Sequence, residues 1–367
     1  MDASDVILVI VVATALAFDF TNGFHDTANA VATSISTRAL PPRTAVTYSA
    51  ALNFVGAFIS LEVAATVAKG VVAPQAVTPT IVFAGLVGAI AWNLLTWYYG
   101  LPSSSSHALI GGVVGATLAA VGTGAVLGDG LVGKVAVPAI LAPILAFLVA
   151  GVAVVLAYRV VGRLRPGPVS RGFRLGQVVS GGLFSLAHGT NDAQKTMGII
   201  TLALIANGSL SPDAGVPTWV VVSAAAAIAA GTYSGGWRII RTMGTRVIKM
   251  NSAQGFSAEG AGSAVILASS HFGFPLSTTH VISGGIIGAG AASRLSAVRW
   301  GVAGNIVMAW VLTLPASAAI GGLTYGLTRV LGAGAVGPLV VVALVVVAAA
   351  LLLGRRAQQV APAPTEA

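Results

Sequence analysis

Hydrophobic positions fall in long, nearly unbroken blocks separated by short polar stretches, unlike the alternation of a half-buried strand or the one-sided stripe of a soluble helix. Several blocks exceed about 18 uncharged residues, the length at which a helix crosses a bilayer. The pattern predicts helical segments over 6–33, 44–68, 80–99, 106–127, 135–158, 176–206, 218–237, 258–270, 278–292, 300–328 and 338–354. The two between 258 and 292 are short for complete spans. A transmembrane barrel would need strands alternating apolar and polar residues, so the expected class is an all-α polytopic membrane protein.

Composition narrows this further. Of 367 residues, 56% are apolar and 8% are charged, 19 of them Lys or Arg and 10 Asp or Glu, whereas soluble domains carry about 25% charge. A water-soluble globule is excluded, and so is a disordered chain, which needs low hydrophobicity. Without cysteine there is no disulfide, thiolate metal site or cysteine nucleophile. The 46 glycines suit helices whose backbones approach closely. The start, Met1 to Asp5, is acidic where a signal peptide would be basic, so the first segment is read as a helix.

Basic residues mark cytoplasmic loops. Arg38, Arg43, Arg159, Arg163, Arg165, Arg171, Arg174, Arg238, Arg241, Arg246, Lys249, Arg294, Arg299, Arg355 and Arg356 sort onto one side, and Lys69, Lys134 and Arg329 onto the other. This predicts an N-terminus outside and a C-terminus in the cytoplasm of a cell whose plasma or inner membrane holds the protein. The assignment closes if 80–127 dips in and returns outside while 252–292 dips in and returns inside. Two full crossings in each place would keep the same parity, so charge leaves hairpins and spans open. The net charge of +9 is an orientation signal. Spread over short loops, it does not form a nucleic-acid surface.

Two pairs of segments repeat. Gly100 to Ala116, GLPSSSSHALIGGVVGA, aligns without gaps on Gly273 to Ala289, GFPLSTTHVISGGIIGA. Upstream, Asn22 to Asn29, NGFHDTAN, corresponds to His188 to Lys195, HGTNDAQK. The charge assignment brings the first copy in from outside and the second from the cytoplasm, so the repeats are inverted. The expected organisation is a first repeat over 1–158, a basic linker over 159–175 broken by Pro166-Gly167-Pro168, a second repeat over 176–328, and a final helix with a short tail over 329–367. Inverted repeats with discontinuous helices and re-entrant hairpins are a mark of secondary transporters, which hold substrate and coupling ions at the repeat interface.

The polar residues inside the blocks are the candidate chemistry. Asn22, Gly23, His25, Asp26 and Asn29 predict an unwound turn at Gly23, freeing carbonyls for a cation. Asp26 and Asn29 share a helix face and suit a hard cation or a proton relay. Asn191 and Asp192 offer the same in the second copy. The alternative is that these groups only satisfy one another between helices. The Pro-x-Ser-x-x-His turns, Pro102 to His107 and Pro275 to His280, read as helix starts. There Ser104, Ser105, Ser106, Ser277, Thr278 and Thr279 set hydroxyl donors beside free amides, an anion site; ordinary capping is the alternative. His107 and His280 read as buried hydrogen-bond partners. Gly111-x-x-x-Gly115 and Gly284-x-x-x-Gly288 read as helix packing. Lys195 stands where the first copy has Asn29; its buried ammonium needs Asp192 or an anionic substrate as partner and can replace a bound cation. Glu259 is a further candidate for proton or cation coupling, Glu62 reads as snorkelling, and Asp19 is open between structure and function.

At these residues the chain resembles the inorganic phosphate transporter (PiT) family, in its prokaryotic low-affinity form, from about Phe18 to Asn305. The family's duplicated G-x-N-D signature is matched by Gly189-Thr190-Asn191-Asp192 and, with His25 in place of Asn, by Gly23-Phe24-His25-Asp26. The resemblance implies uptake of inorganic phosphate by cation symport, a homodimer, no resident cofactor or metal and no enzymatic activity. Sodium-coupled relatives carry Glu at the position of Asn53 and Asn at that of Lys195, so a proton is the expected coupling ion, with a neutral metal-phosphate complex as one form of the cargo. Sulfate or another oxyanion, sodium coupling, an intramembrane hydrolase using Ser and His, and a purely structural role are the competing readings.

Overall fold

The computed structural model describes residues 3–332, 334–345 and 347. Among them the chain is helical and forms no β-strand. The first half holds α1 (Ala3–Ser36), α2 (Pro42–Gly56), α3 (Glu62–Lys69), α4 (Pro79–Tyr99), α5 (Ser105–Val121), α6 (Gly128–Leu131) and α7 (Val137–Val161). The second holds α8 (Pro166–Ala206), α9 (Thr218–Ser234), α10 (Trp237–Arg241), α11 (Ser252–His271), α12 (Thr278–Ser293) and α13 (Trp300–Leu331). A further short helix covers Val336–Val345.

The halves correspond as α1 with α8, α2–α3 with α9–α10, α4 with α11, α5 with α12 and α7 with α13. Their packing interlocks: α5 lies on α13 and α12 on α7, while α1 lies on α9 and α8 on α2. Gly111 and Gly115 let α5 approach the backbone of α13 at Leu314 and Ala318, and Gly284 and Gly288 let α12 approach α7 at Pro143 and Phe147. Pro143 and Pro315 stand inside the two partner helices at matching places, an element of the repeat that sequence comparison overlooks. Interior prolines are tolerated in membrane helices, where neighbours satisfy the freed carbonyl.

The question that charge leaves open is settled by the turns. Residues 102–104 and 275–277 are buried, and the two turns meet, with Ser106 Oγ donating to the Leu276 carbonyl at 3.3 Å and the His107 and His280 rings 4.8 Å apart. A turn joining two complete crossings would lie in water. α4–α5 and α11–α12 are therefore hairpins whose tips converge inside the protein.

Breaks occur at places other than Gly23. α1 runs without interruption through that residue, because its polar side chains face protein partners and leave the backbone ladder intact. The Gly23 carbonyl accepts the Thr27 hydroxyl at 2.7 Å, and a Cβ on Gly23 would strike the Ile228 carbonyl of α9. Gly189 approaches Asn53 of α2 in the same way, and the partner glycines Gly231 and Gly56 return the contact against Phe20 and Leu186. The signature glycine is thus a crossing point between halves. The discontinuities lie between α2 and α3, which splits the expected segment 44–68, and at Gly235–Gly236, where α9 and the helix that follows bend by 59°.

The predicted linker 159–175 is helix apart from residues 162–165, since α7 continues to Val161 and Pro166 opens α8; a proline in the first helical turn sacrifices no hydrogen bond. The final segment, 338–354, is described through 345 and at 347; Asp2, Arg355, Arg356, Glu366 and the tail lie outside the described residues.

One end of the molecule is tied by Thr37 to Gln177 (2.6 Å), Asn251 to Tyr158 (2.7 Å), Gln254 to Ser293 (2.9 Å) and Arg299 N to the Val247 carbonyl (3.0 Å). It gathers the chain around Arg38, Arg159, Lys249, Arg294 and Arg299. The opposite end is closed by Ala73 N to Ala125 O (2.9 Å) and Leu127 N to Val71 O (3.0 Å), near Lys69 and Lys134. Arg238 departs from the expected grouping. The bend lays α10 beside the inner end of α4, where the Arg238 guanidinium bonds the Tyr98 carbonyl and sits 5.3 Å from Trp97 and 5.1 Å from Tyr98, a cation–π arrangement.

Candidate functional site

Asp26 on α1 and Asp192 on α8 occupy matched positions, both buried, and the hairpin tips close on them. Asp26 accepts from Ser105 Oγ at 2.5 Å and Thr279 Oγ1 at 3.5 Å, with His25 Nδ1 2.6 Å away. It therefore touches both hairpins. Asp192 accepts from Thr278 Oγ1 at 3.2 Å, is paired with Lys195 and has His188 Nε2 3.2 Å away. Donor atoms of Asp26, His188 and Asp192 lie within 4.8 Å of one another.

Lys195 completes the centre. Besides Asp192, its Nζ bonds Ser106 Oγ at 2.5 Å and the Leu276 carbonyl at 2.7 Å, so three donors meet three acceptors, one from α8 and one from each hairpin tip. Its counterpart Asn29 donates to Thr279 at 2.9 Å and Thr278 at 3.4 Å. Helix periodicity explains the shared face: Asn22, Asp26 and Asn29 are spaced by four and three residues.

The residue before each signature acid has a second task. His25 Nε2 stands 3.2 Å from Thr96 Oγ1 and 3.4 Å from Ser103 Oγ, and Asn191 Nδ2 donates to Ser270 Oγ at 2.8 Å and the Phe274 carbonyl at 3.3 Å. Each ties its long helix to the inner end of a hairpin's first helix. Replacing Asn by His in the first copy preserves this tether, because an imidazole reaches both neighbours at once.

Six hydroxyl residues were candidates for the anion, and the structure divides them. Ser104 and Ser277 are N-caps, accepting from His107 N at 3.1 Å and His280 N at 3.3 Å. The prolines precede these caps by two residues, so they shape the turn and do not begin the helix. Ser105, Thr278 and Thr279 donate to the acid pair, and Ser106 meets Lys195 and the Leu276 carbonyl beside it. Asn22 is buried on the same helix, with its Oδ1 unpartnered.

Glu259 lies apart from this centre. Its carboxylate accepts from Thr33, from Ser34 at 2.8 Å and from Ser180 at 2.5 Å, binding α11 to α1 and α8. Glu62 is exposed at the start of α3. Asp19 is buried on α1 one helical stretch before Asp26, within electrostatic reach of Asp192 and Lys195 and hydrogen-bonded to neither.

Sequence reading passed over His188, Thr96, Ser103 and Ser270. His188 had a signal, since the repeat alignment sets it opposite Asn22. Its Nδ1 stands 3.1 Å from Asn53 Oδ1, and Asn53 Nδ2 donates to Thr232 at 2.8 Å. The others are ordinary Ser and Thr positions that only packing distinguishes.

Chemically, the tips of α5 and α12 present hydroxyls and helix-start amides to one point, and such termini favour anions. Repeated halves whose re-entrant hairpins meet between matched acids inside a helical membrane protein are the build of a membrane transporter.

The sequence pattern of the phosphate transporter family matches residues 22–168 and 163–321, and the chain belongs to that family. Relatives described as "Probable low-affinity inorganic phosphate transporter" include one from Mycobacterium bovis, 58% identical over 89% of this chain and 78% of its own length. Others come from Rhizobium meliloti, 51% identical over 87% and 96%, and Bacillus subtilis, 45% identical over 89% and 98%. A solved structure described as "The sodium-dependent phosphate transporter" shares the fold, with a TM-score of 0.80, 24% identity and coverage of 89% of this chain and all of that one. The family's work is transport, and the hydrolase reading of Ser and His falls away.

Proposed function

We propose that this chain carries inorganic phosphate into the cell by symport with protons, with the basic end of the molecule in the cytoplasm. The observation that carries the reading is the buried charge: among the described residues three buried aspartates, Asp19, Asp26 and Asp192, stand against a single buried ammonium, Lys195, which pairs with Asp192. An anion brought alone into a buried site with surplus carboxylate meets repulsion undamped by water. Co-bound positive charge removes that barrier, which is the physical basis of symport.

A proton is favoured over sodium by two residues. Lys195 Nζ already fills a cage of three oxygens from Asp192, Ser106 and Leu276, the surroundings a hard cation would take. Asn53 is an amide satisfied by His188 and Thr232 and adds no charge for a cation. Ser105, Thr278 and Thr279 would transfer their hydrogen bonds from the carboxylates to phosphate oxygens as the substrate enters, and Ser106 would transfer its own from the Leu276 carbonyl. A neutral metal-phosphate complex would use the same hydroxyls as cargo. Multi-pass insertion and a homodimer complete the reading, the latter on family likeness.

Radiolabelled phosphate uptake into proteoliposomes tests it. Accumulation should follow an imposed proton gradient and ignore a sodium gradient, and excess sulfate should leave it unchanged. Accumulation driven by sodium alone would overturn the coupling, and transport of sulfate in place of phosphate would overturn the substrate.

A further inference from the structure

Asp19 is a buried acid that the phosphate contacts do not use. It lies on α1, three residues before Asn22 and seven before Asp26, on the same inward stripe. At about 1.5 Å per residue it stands roughly 10 Å along the helix from Asp26, toward the end that carries Lys69 and Lys134. Both its carboxylate oxygens lack a hydrogen-bond partner among the described residues, as do Asn22 Oδ1 and Thr196 Oγ1. Asn22 and Thr196 are the polar side chains beside the carboxylate, and the charged groups acting on it are Asp192 and Lys195, both on α8.

Neither charge can serve as its permanent partner. Lys195 has three donors, and all are engaged by Asp192, Ser106 and Leu276. Asp192 repels it. The contrast with Glu259 is direct: that buried acid receives hydroxyls from Thr33, Ser34 and Ser180, the arrangement expected of a carboxylate kept for structure. Asp19 has only Asn22 and Thr196 beside it, and neither of its oxygens is held in hydrogen-bond geometry. An ionised carboxylate is acceptor-only and is costly to bury without donors. One proton removes the charge and supplies a donor among unpartnered oxygens.

We propose that the Asp19 carboxyl carries the coupling proton, bound while the hairpins enclose phosphate and released when the site opens to water. This rests on the symport reading above. The exchange is a simple protonation of one carboxylate oxygen, with the proton taken from water on one side and returned to water on the other. Asp19 contacts neither hairpin hydroxyl nor signature acid by hydrogen bond, so it acts on coupling and leaves phosphate recognition to the tips.

The test is Asp19→Asn in proteoliposomes, measured in two ways. Exchange of labelled for unlabelled phosphate without any gradient should persist, while accumulation driven by a proton gradient should be lost; Asp19→Glu should retain accumulation with a shifted pH profile. Proton-driven accumulation by Asp19→Asn equal to the wild type would overturn the proposal. So would loss of exchange in a variant that remains monodisperse, which would place Asp19 in substrate binding. If Asp19→Asn does not fold, Asp19→Glu decides, and a pH profile identical to the wild type overturns the proposal. A wild type that exchanges phosphate but ignores the proton gradient would overturn the symport reading, and this inference with it.

Discussion

Lys195 of the second repeat donates to Ser106 at the tip of the first repeat's hairpin, at 2.5 Å. The bond joins the signature of one half to the hairpin of the other, so the centre exists only when the two halves interlock. With Leu276 and Asp192 as its other partners, Lys195 holds both hairpin tips to α8.

Removing this ammonium should therefore be costly twice. Lys195→Met leaves Asp192 buried without its counter-charge, and breaking such a pair costs about 3–5 kcal/mol. Thermal unfolding in detergent should show a clear fall in the midpoint together with loss of uptake. Adding Asp192→Asn should recover stability but not transport; a double variant no more stable than Lys195→Met would contradict the pairing argument.

Lys195→Asn restores the residue that stands at Asn29 in the first copy. Opening the oxygen cage of Asp192, Ser106 and Leu276 should create dependence on sodium in the uptake assay. Ion dependence identical to that of the wild type would remove the idea that the ammonium replaces a cation.

Asp26→Asn and Asp192→Asn should each bring uptake to background, because each acid receives hydroxyls from the tips proposed to hold phosphate. Both proteins should remain monodisperse by size-exclusion chromatography, since an amide keeps the shape and one acceptor, with Asp192→Asn unfolding at a lower midpoint because it leaves Lys195 without its counter-charge. Full uptake by both variants would displace the proposed centre.

Gly23→Ala places a methyl group against the Ile228 carbonyl of α9. Overpacking of this kind costs about 1–3 kcal/mol. By contrast Gly172→Ala meets open space within α8 and should be neutral or stabilising by up to about 1 kcal/mol. Comparing the two unfolding midpoints separates a crossing point from a glycine without a packing role; equal midpoints would refute the distinction.

Glu259→Gln should lower stability by about 1–3 kcal/mol, the cost of disturbing a buried hydrogen-bond set, while the ratio of protons to phosphate stays as in the wild type. A changed ratio would return Glu259 to the coupling machinery.

Unbroken apolar blocks made the membrane class and the helices legible, since a lipid-facing segment must be apolar along its whole length. The aligned GLPSSSSHALIGGVVGA and GFPLSTTHVISGGIIGA stretches revealed the repeat, because duplicated segments keep their register. The acids Asp26 and Asp192 and the ammonium of Lys195 were equally legible, as charge in such blocks is expensive and stands out. Tertiary structure was needed wherever one residue type can serve several ends. It made Ser104 and Ser277 caps, aimed the Ser105 and Thr278 hydroxyls at Asp26 and Asp192, kept α1 whole through Gly23, left both Asp19 oxygens unpartnered and gave Glu259 three hydroxyl donors. A helix can absorb polar side chains without unwinding when partners from other helices satisfy them, and those partners are distant in the chain. Local sequence reports what a residue costs to bury; only the assembled fold reports who meets it there.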